Sequence, residues 1–153
     1  MSIERARAHL AKHGLEDRIK EFDVSSATVA LAAQALNCEP ERIAKTLSFV
    51  NGDSAILIRA AGDARIDNAK FKARFGMKAK MLGADMVEPL IGHAIGGVCP
   101  FGVNEGIPVY LDESLKRFDY VYPAAGTSAS AVYLTLPELE RASEPQGWVD
   151  VTK

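Results

Sequence analysis

Cysteine is scarce in this chain of 153 residues, with Cys38 and Cys99 the only two, far apart and with no further thiol or histidine at metal-ligand spacing beside either. That excludes a disulfide framework and a structural zinc site, both of which need more thiols. Long apolar runs are also missing, and nothing approaches the roughly 20 residues a membrane-spanning helix requires. The N-terminal MSIERARAHL has charges but no apolar core and no small-residue cleavage signal, so no signal peptide is expected. Low-complexity stretches, internal repeats and Pro/Gly/Ser linkers are absent, so no domain boundary is expected within residues 1–153. A reduced, cytoplasmic setting follows from the sparse cysteine.

Charge of one sign is lacking as well. Lys and Arg total 18 against 20 Asp and Glu, a formal net charge of −2 with a pI near 5.9. A general polyanion-coating protein would be basic, so that class is disfavoured. Apolar residues at 48% and charged residues at 25% give an ordinary globular balance and exclude a disordered tail. The charge is nonetheless uneven. Residues 59–80 hold Arg59, Arg65, Lys70, Lys72, Arg74, Lys78 and Lys80 against Asp63 and Asp67, a local balance of +5 that leaves −7 for the remainder. Such a segment is either a solvated helix face or a patch for phosphate.

Periodicity and turn chemistry predict interleaved helices and strands. Ile3, Ala6 and Leu10 share a helical face behind Ser2, with Gly14 as the stop. A strand is expected over 19–22, and a helix over 27–36 capped by Ser25 or Ser26 and ended by Asn37. Glu39-Pro40-Glu41 starts a helical turn. Apolar runs at 46–50 and 55–61 flank Asn51-Gly52, a hairpin signal. Asp67 caps a basic helix closed by Gly76. A short strand at 80–82 and a helix over 84–91 precede five glycines between residues 92 and 106. Strands follow at 108–111, 120–122 and 131–136, then a proline-initiated helix over 137–142 and a last strand at 148–151. The hairpin demands antiparallel neighbours, so the expected class is α+β, a curved, mixed, largely antiparallel sheet with flanking helices rather than a doubly wound parallel one.

Several residues could carry chemistry. The loop Gly96-Gly97-Val98-Cys99-Pro100-Phe101-Gly102 could aim several backbone N–H groups at one point and so hold an oxyanion or phosphate, or be a tight turn alone. It is neither a Walker loop nor a dinucleotide fingerprint. Lys45-Thr46, before the apolar run 47–50, could bring a cation to a pocket over the sheet, or Lys45 could be a snorkelling edge lysine. Cys99 with His93 six residues upstream could form a nucleophile–base pair, or be a small buried residue. His9 and His13 lie four apart on a helical face without a carboxylate motif beside them, and no metal is assigned.

Taken together, these segments resemble a known family. The order is Ala-Leu-Asn-Cys-Glu-Pro-Glu-Arg-Ile-Ala-Lys-Thr-Leu (35–47), Gly-His-Ala-Ile-Gly-Gly-Val-Cys-Pro-Phe-Gly (92–102), Pro-Val-Tyr-Leu-Asp-Glu-Ser-Leu (108–115), Val-Tyr-Pro-Ala-Ala-Gly (121–126) and Leu-Pro-Glu-Leu (136–139). It is similar, over nearly the whole chain, to the YbaK/prolyl-tRNA synthetase editing-domain family of aminoacyl-tRNA deacylases. The resemblance implies a single editing domain over 1–153 that hydrolyses mischarged aminoacyl-tRNA in trans, without cofactor or metal, with an aminoacyl-tRNA synthetase as a further partner. The alternative is a non-catalytic paralogue that holds tRNA or a synthetase. Lys45 would be the functional lysine, with backbone N–H groups of Gly96, Gly97 and Val98 as oxyanion donors. Thr46, His93, Cys99, Pro100, Phe101, Gly126, Thr127 and Ser128 would surround the aminoacyl group, and Arg59, Arg65, Lys70, Lys72, Arg74 and Lys78 would meet tRNA phosphates. Inside this pocket loop Cys99 is no longer expected to be a nucleophile. Ala131 stands near the place where members that clear cysteine carry an aspartate, which weighs against cysteine specificity and keeps alanine, serine and threonine esters open, without fixing which amino acid is removed.

Overall fold

The helices begin and end on local chemical signals. The computed structural model describes residues 2–23, 28–93, 98–127 and 129–153. Among these lie α1 (Ser2–Ala11), α2 (Val29–Leu36), α3 (Asn68–Phe75), α4 (Ala84–Ile91) and α5 (Leu136–Ser143). The Asp67 side chain accepts the N–H groups of Ala69 and Lys70, satisfying donors that the first turn leaves unpaired. Gly76 closes α3 at φ +71°, a left-handed conformation that a residue with a Cβ adopts only at a cost. The cap of α2 is Thr28, whose Oγ1 accepts from Leu31 N at 3.1 Å, rather than a serine two or three residues earlier. Ser25 and Ser26 lie outside the described residues. The sequence also conceals a capping box on α5, where Thr135 and Glu138 exchange side-chain-to-backbone hydrogen bonds. Arg18 locks Glu138 with two further bonds at 2.7 and 2.9 Å, and this holds the Glu138 carboxyl at about 2.

The strands are β1 (Ile19–Glu21), β2 (Ile43–Asn51), β3 (Ser54–Ala61), β4 (Val109–Asp112), β5 (Tyr120–Pro123), β6 (Ser130–Val132), β7 (Leu134–Thr135) and β8 (Gly147–Val149). Six form one sheet in the order β7-β5-β2-β3-β4-β8, and β1 pairs with β6 separately. The fold is the expected α+β one, with a mixed sheet that combines antiparallel and parallel pairings. β2–β3 is a long antiparallel hairpin and β5–β7 a short one, whereas β2–β5, β3–β4 and β4–β8 are parallel. The expected single strand at 131–136 divides, because its first part joins β1 and its second joins β5. The hairpin register pairs Asn51 with Ser54, so Gly52-Asp53 form the two-residue loop, one position later than the Asn-Gly signal suggested. Residues 80–82 make only the single bridge Met81–Phe49.

β3 runs through the middle, and its side chains from Ala55 to Ala61 are all buried. On one face Phe49, Ile56 and Ile58 pack against Phe71 of α3. On the other, Ala55 and Leu57 meet Ile91 of α4 and Val109. The largest cluster joins Leu10, Phe101, Leu111, Leu115, Leu134 and Leu139. Asp112, fully buried, accepts from Ser114 N at 2.9 Å, Val151 N at 2.9 Å and Thr152 Oγ1 at 2.7 Å, and so ties the C-terminal segment to β4.

Candidate active site

β2 is paired along its outer edge only at its ends. Ile43 and Ala44 pair with β5, while Ser48 O accepts from Leu82 N at 3.0 Å and Val50 N donates to Lys80 O at 2.8 Å. Between these ends, among the described residues, no strand covers Thr46. A half-open cavity of ≈330 Å³ lies there, in the size range of small-molecule sites. α2 supplies Val29 and Ala32 with its N-cap Thr28, β2 supplies Ile43, Ala44, Lys45, Thr46 and Ser48, and Met81, Leu82, Ala84, Val87 and Val98 add to the lining. Tyr122, Ala124, Ser130 and Ala131 complete it.

The lining is mostly apolar with several hydroxyls. No carboxylate, histidine or cysteine is among the described lining residues, and Lys45 is their one cation. The Lys45 ammonium donates to Gly62 O at 3.3 Å and to Ala64 O. Burial lowers its pKa; Asp63 opposes that shift and Arg65 adds to it. Burial raises the Tyr122 pKa, which keeps the phenol neutral. The arrangement therefore offers hydrogen-bond donors and one cation rather than a protein acid–base pair.

Of the residues expected here, Lys45, Thr46 and Val98 line the cavity. Gly96, Gly97 and Ser128 lie outside the described residues. Cys99, Phe101 and His93 are fully buried and do not line it, and neither do Pro100, Gly126 and Thr127. Thr127 acts one layer back, its Oγ1 donating to Ser130 Oγ at 2.8 Å. Cys99 Sγ lies 3.6 Å from His93 Nε2, but burial lifts the thiol to about 11 and lowers the imidazole, so the pair rests as neutral thiol and neutral ring.

Among the residues assigned to RNA, Arg59 is misplaced by the charge count. It is fully buried in β3, its Nη1 donating to Ala44 O at 2.8 Å and its Nη2 to Thr46 Oγ1 at 2.5 Å. The signal was available, since an arginine inside an unbroken apolar run such as Ala55–Ala61 is on a central strand and not on a surface. Arg65, Lys70, Lys72, Arg74 and Lys78 are exposed. Lys70 is held by Asp150 at 3.1 Å and Thr152 O at 2.9 Å, and Arg74 lies over the rings of Phe75 and Tyr110. Lys72 and Lys78 flank a second depression with Asn68, Ala69 and Ala79. From Lys78 the chain runs directly to Met81 and Leu82 of the first cavity.

Away from the cavity, the fold brings Glu144 to His9 and His13, a carboxylate the local sequence does not reveal. Glu144 Oε2 lies 3.1 Å from His13 Nε2 and 3.3 Å from His9 Nε2. His9 Nε2–H is already committed to Ala142 O at 2.6 Å, so its ring pins α1 to α5. His93 Nε2–H likewise donates to Phe101 O at 2.6 Å. Burial lowers both histidine pKa values. A base whose folded pKa is depressed binds its proton more readily unfolded. Its stabilising contribution is complete above the unfolded value of about 6.5 and is lost as pH falls through that value toward the folded one. Urea midpoints are therefore expected to fall between pH 7.5 and 5, and His93→Gln is expected to flatten that decline relative to wild type.

The fold and cavity define a small mixed α+β domain with a ligand-sized cleft at an open sheet edge. A family model for the aminoacyl-tRNA editing domain matches residues 23–142, and the chain belongs to that family. It is 49% identical over 154 residues to the uncharacterised protein YwhH of Bacillus subtilis strain 168, covering 100% of this chain and 98% of that one. A crystal structure described as a candidate trans-editing enzyme for prolyl-tRNA synthetase superposes with a TM-score of 0.88 at 33% identity, covering 99% of this chain and 97% of the other. Proline–tRNA ligase of Lactiplantibacillus plantarum is 21% identical over 138 residues, 90% of this chain but 24% of the ligase. Among the described residues no helix is long and apolar enough to cross a membrane.

Proposed function

We propose that this chain is an aminoacyl-tRNA deacylase acting in trans, which removes a small amino acid from a proline-type or related tRNA. The observation that carries the reading is the cavity at the β2 edge of an editing-family domain, lined by apolar side chains and hydroxyls beside a single lysine. Water adds to the ester carbonyl carbon, the bond to the ribose oxygen breaks, and the ribose oxygen takes a proton. Free amino acid and intact tRNA result. The ester is already activated, so a covalent enzyme intermediate is not required. The barrier is lowered by donors placed where the oxyanion develops, which is the role we give to the backbone N–H groups of Gly96, Gly97 and Val98. Lys45 orients the terminal phosphate or the ester, and the limited volume, bounded by Ile43, Met81, Leu82 and Tyr122, admits small amino acids and excludes larger ones.

A panel of proline-type tRNAs mischarged with alanine, serine, threonine or cysteine, with the correctly charged prolyl-tRNA as control, tests this. Release of at least one small amino acid above the uncatalysed rate supports the reading, and no release from any member overturns it. RNA approach is assigned to the exposed basic groups around α3. Reversing Arg65, Lys72 and Lys78 to glutamate is expected to lower kcat/KM at least about tenfold and to flatten its salt dependence. Unchanged kcat/KM and salt slope would remove the patch from the substrate path.

A further inference from the structure

Arg59 and Thr46 sit directly opposite each other across the β2–β3 ladder, so their side chains share a face, while Lys45 projects to the other. That division separates the two cations near the cavity. Lys45 reaches the carbonyls of Gly62 and Ala64, and Arg59 reaches the outer edge of β2 at Ala44 O and Thr46 Oγ1. The guanidinium is fully buried, and among the described residues no carboxylate pairs with it and Nε has no partner. Its neighbours are neutral, the Cys99 thiol and the Phe101 ring, whose centroid is 5.7 Å away. Burial lowers its pKa only to about 10, so the cation persists at neutral pH.

A threonine hydroxyl has one proton to donate and lone pairs to accept with. Here the oxygen already accepts from a charged N–H at 2.5 Å. Among the described residues Thr46 Oγ1 has no other partner, and Thr46 lines the cavity. Its proton is thereby left for whatever occupies the cavity. An uncompensated cation behind the hydroxyl polarises it toward donation, and it favours an electron-rich oxygen there over an ammonium group. The backbone points the same way: the alternation that turns Ser48 O and Val50 N to the outer edge turns Thr46 N–H to that edge as well.

We infer that Arg59 and Thr46 act as one unit in which Thr46 Oγ–H donates to the carbonyl oxygen of the bound aminoacyl ester. Arg59 is the positioning residue that fixes this donor and turns the substrate's α-ammonium to the opposite end of the cavity. The inference rests on the deacylase reading above.

The test uses the full chain in two arms. In single turnover on the best substrate of the panel, Thr46→Val, which keeps the shape and removes the donor, is expected to slow ester cleavage about 10²-fold, as loss of one oxyanion donor does. Thr46→Ser is expected to restore most of that loss. Arg59→Met is expected to cost a similar factor, and the double variant little more than either alone, because the two residues act together. If Arg59→Met does not fold, Arg59→Lys replaces it in the same cycle. The second arm titrates a non-hydrolysable probe, 3′-deoxy-3′-(L-alanylamido)adenosine, by calorimetry. Affinity is expected to fall in Thr46→Val and to return in Thr46→Ser. Cleavage by Thr46→Val at the wild-type rate, or additive losses in the double variant, overturns the inference and leaves the deacylase reading intact. A wild type that cleaves no substrate overturns the deacylase reading, and the probe then decides: equal affinity in wild type and Thr46→Val, or no binding by either, overturns the inference too.

Discussion

Lys45→Ala is expected to slow single-turnover deacylation by about 10²-fold or more while leaving the fold intact. The lysine is the one cation among the described lining residues, and no neighbouring carboxylate, histidine or cysteine there could take over its work. A half-buried ammonium in a mostly apolar cleft interacts with developing negative charge far more strongly than it would in water. Its tether to the Gly62 and Ala64 carbonyls uses two of its three donors and restricts where the third can point. Lys45→Arg is expected not to rescue, since a wider planar fork does not fit where a point charge is held between two carbonyls. Circular dichroism and a urea midpoint establish that the alanine variant is folded. If that folded variant cleaves at the wild-type rate, the role given to Lys45 is wrong.

The largest effect on stability is expected at Asp112, far from the cavity. Its buried carboxylate accepts from Ser114 N, Val151 N and Thr152 Oγ1. Asp112→Ala strands three donors in a region without water to replace the lost acceptor. The expected loss is about 3–5 kcal/mol of unfolding free energy, since each buried unpaired donor costs about 1–3 kcal/mol. Asp112→Asn keeps the volume but turns an NH₂ toward donors, and is expected to recover only part. Equilibrium urea unfolding measures both, and a loss below about 1 kcal/mol for the alanine variant would contradict the accounting.

Asp112 also marks where sequence reading stops. Nothing around it in the chain announces that residues 151 and 152 return to it. Local signals were legible: Asp67 and Gly76 bracket α3, Ala84–Ile91 is the helix expected, and two apolar runs form the β2–β3 hairpin. Each depends on neighbours a few residues away. The parallel pairings of β3 with β4 and β2 with β5 depend on long-range register, which no local pattern encodes. The site divides along the same line. Lys45, Thr46 and Val98 come to the cavity because their segments carry the family's motifs. Cys99, Phe101 and His93 belong to neighbouring motif positions but pack into the core, since adjacency in the chain does not determine which face a side chain occupies. A charge tally places Arg59 with the surface cations because it ignores the apolar run around it.

The cavity wall holds five alanines, Ala32, Ala44, Ala84, Ala124 and Ala131, contributed by different parts of the chain. Each works as an independent stop on a gauge. Replacing one by a larger side chain would shorten the admissible amino acid from one direction while leaving Lys45, Thr46 and the strand edge in place, and a single methylene shifts discrimination by about 1–3 kcal/mol. On the proposed deacylase reading, substrate choice is therefore separable from chemistry, and single substitutions at these alanines change the one without the other.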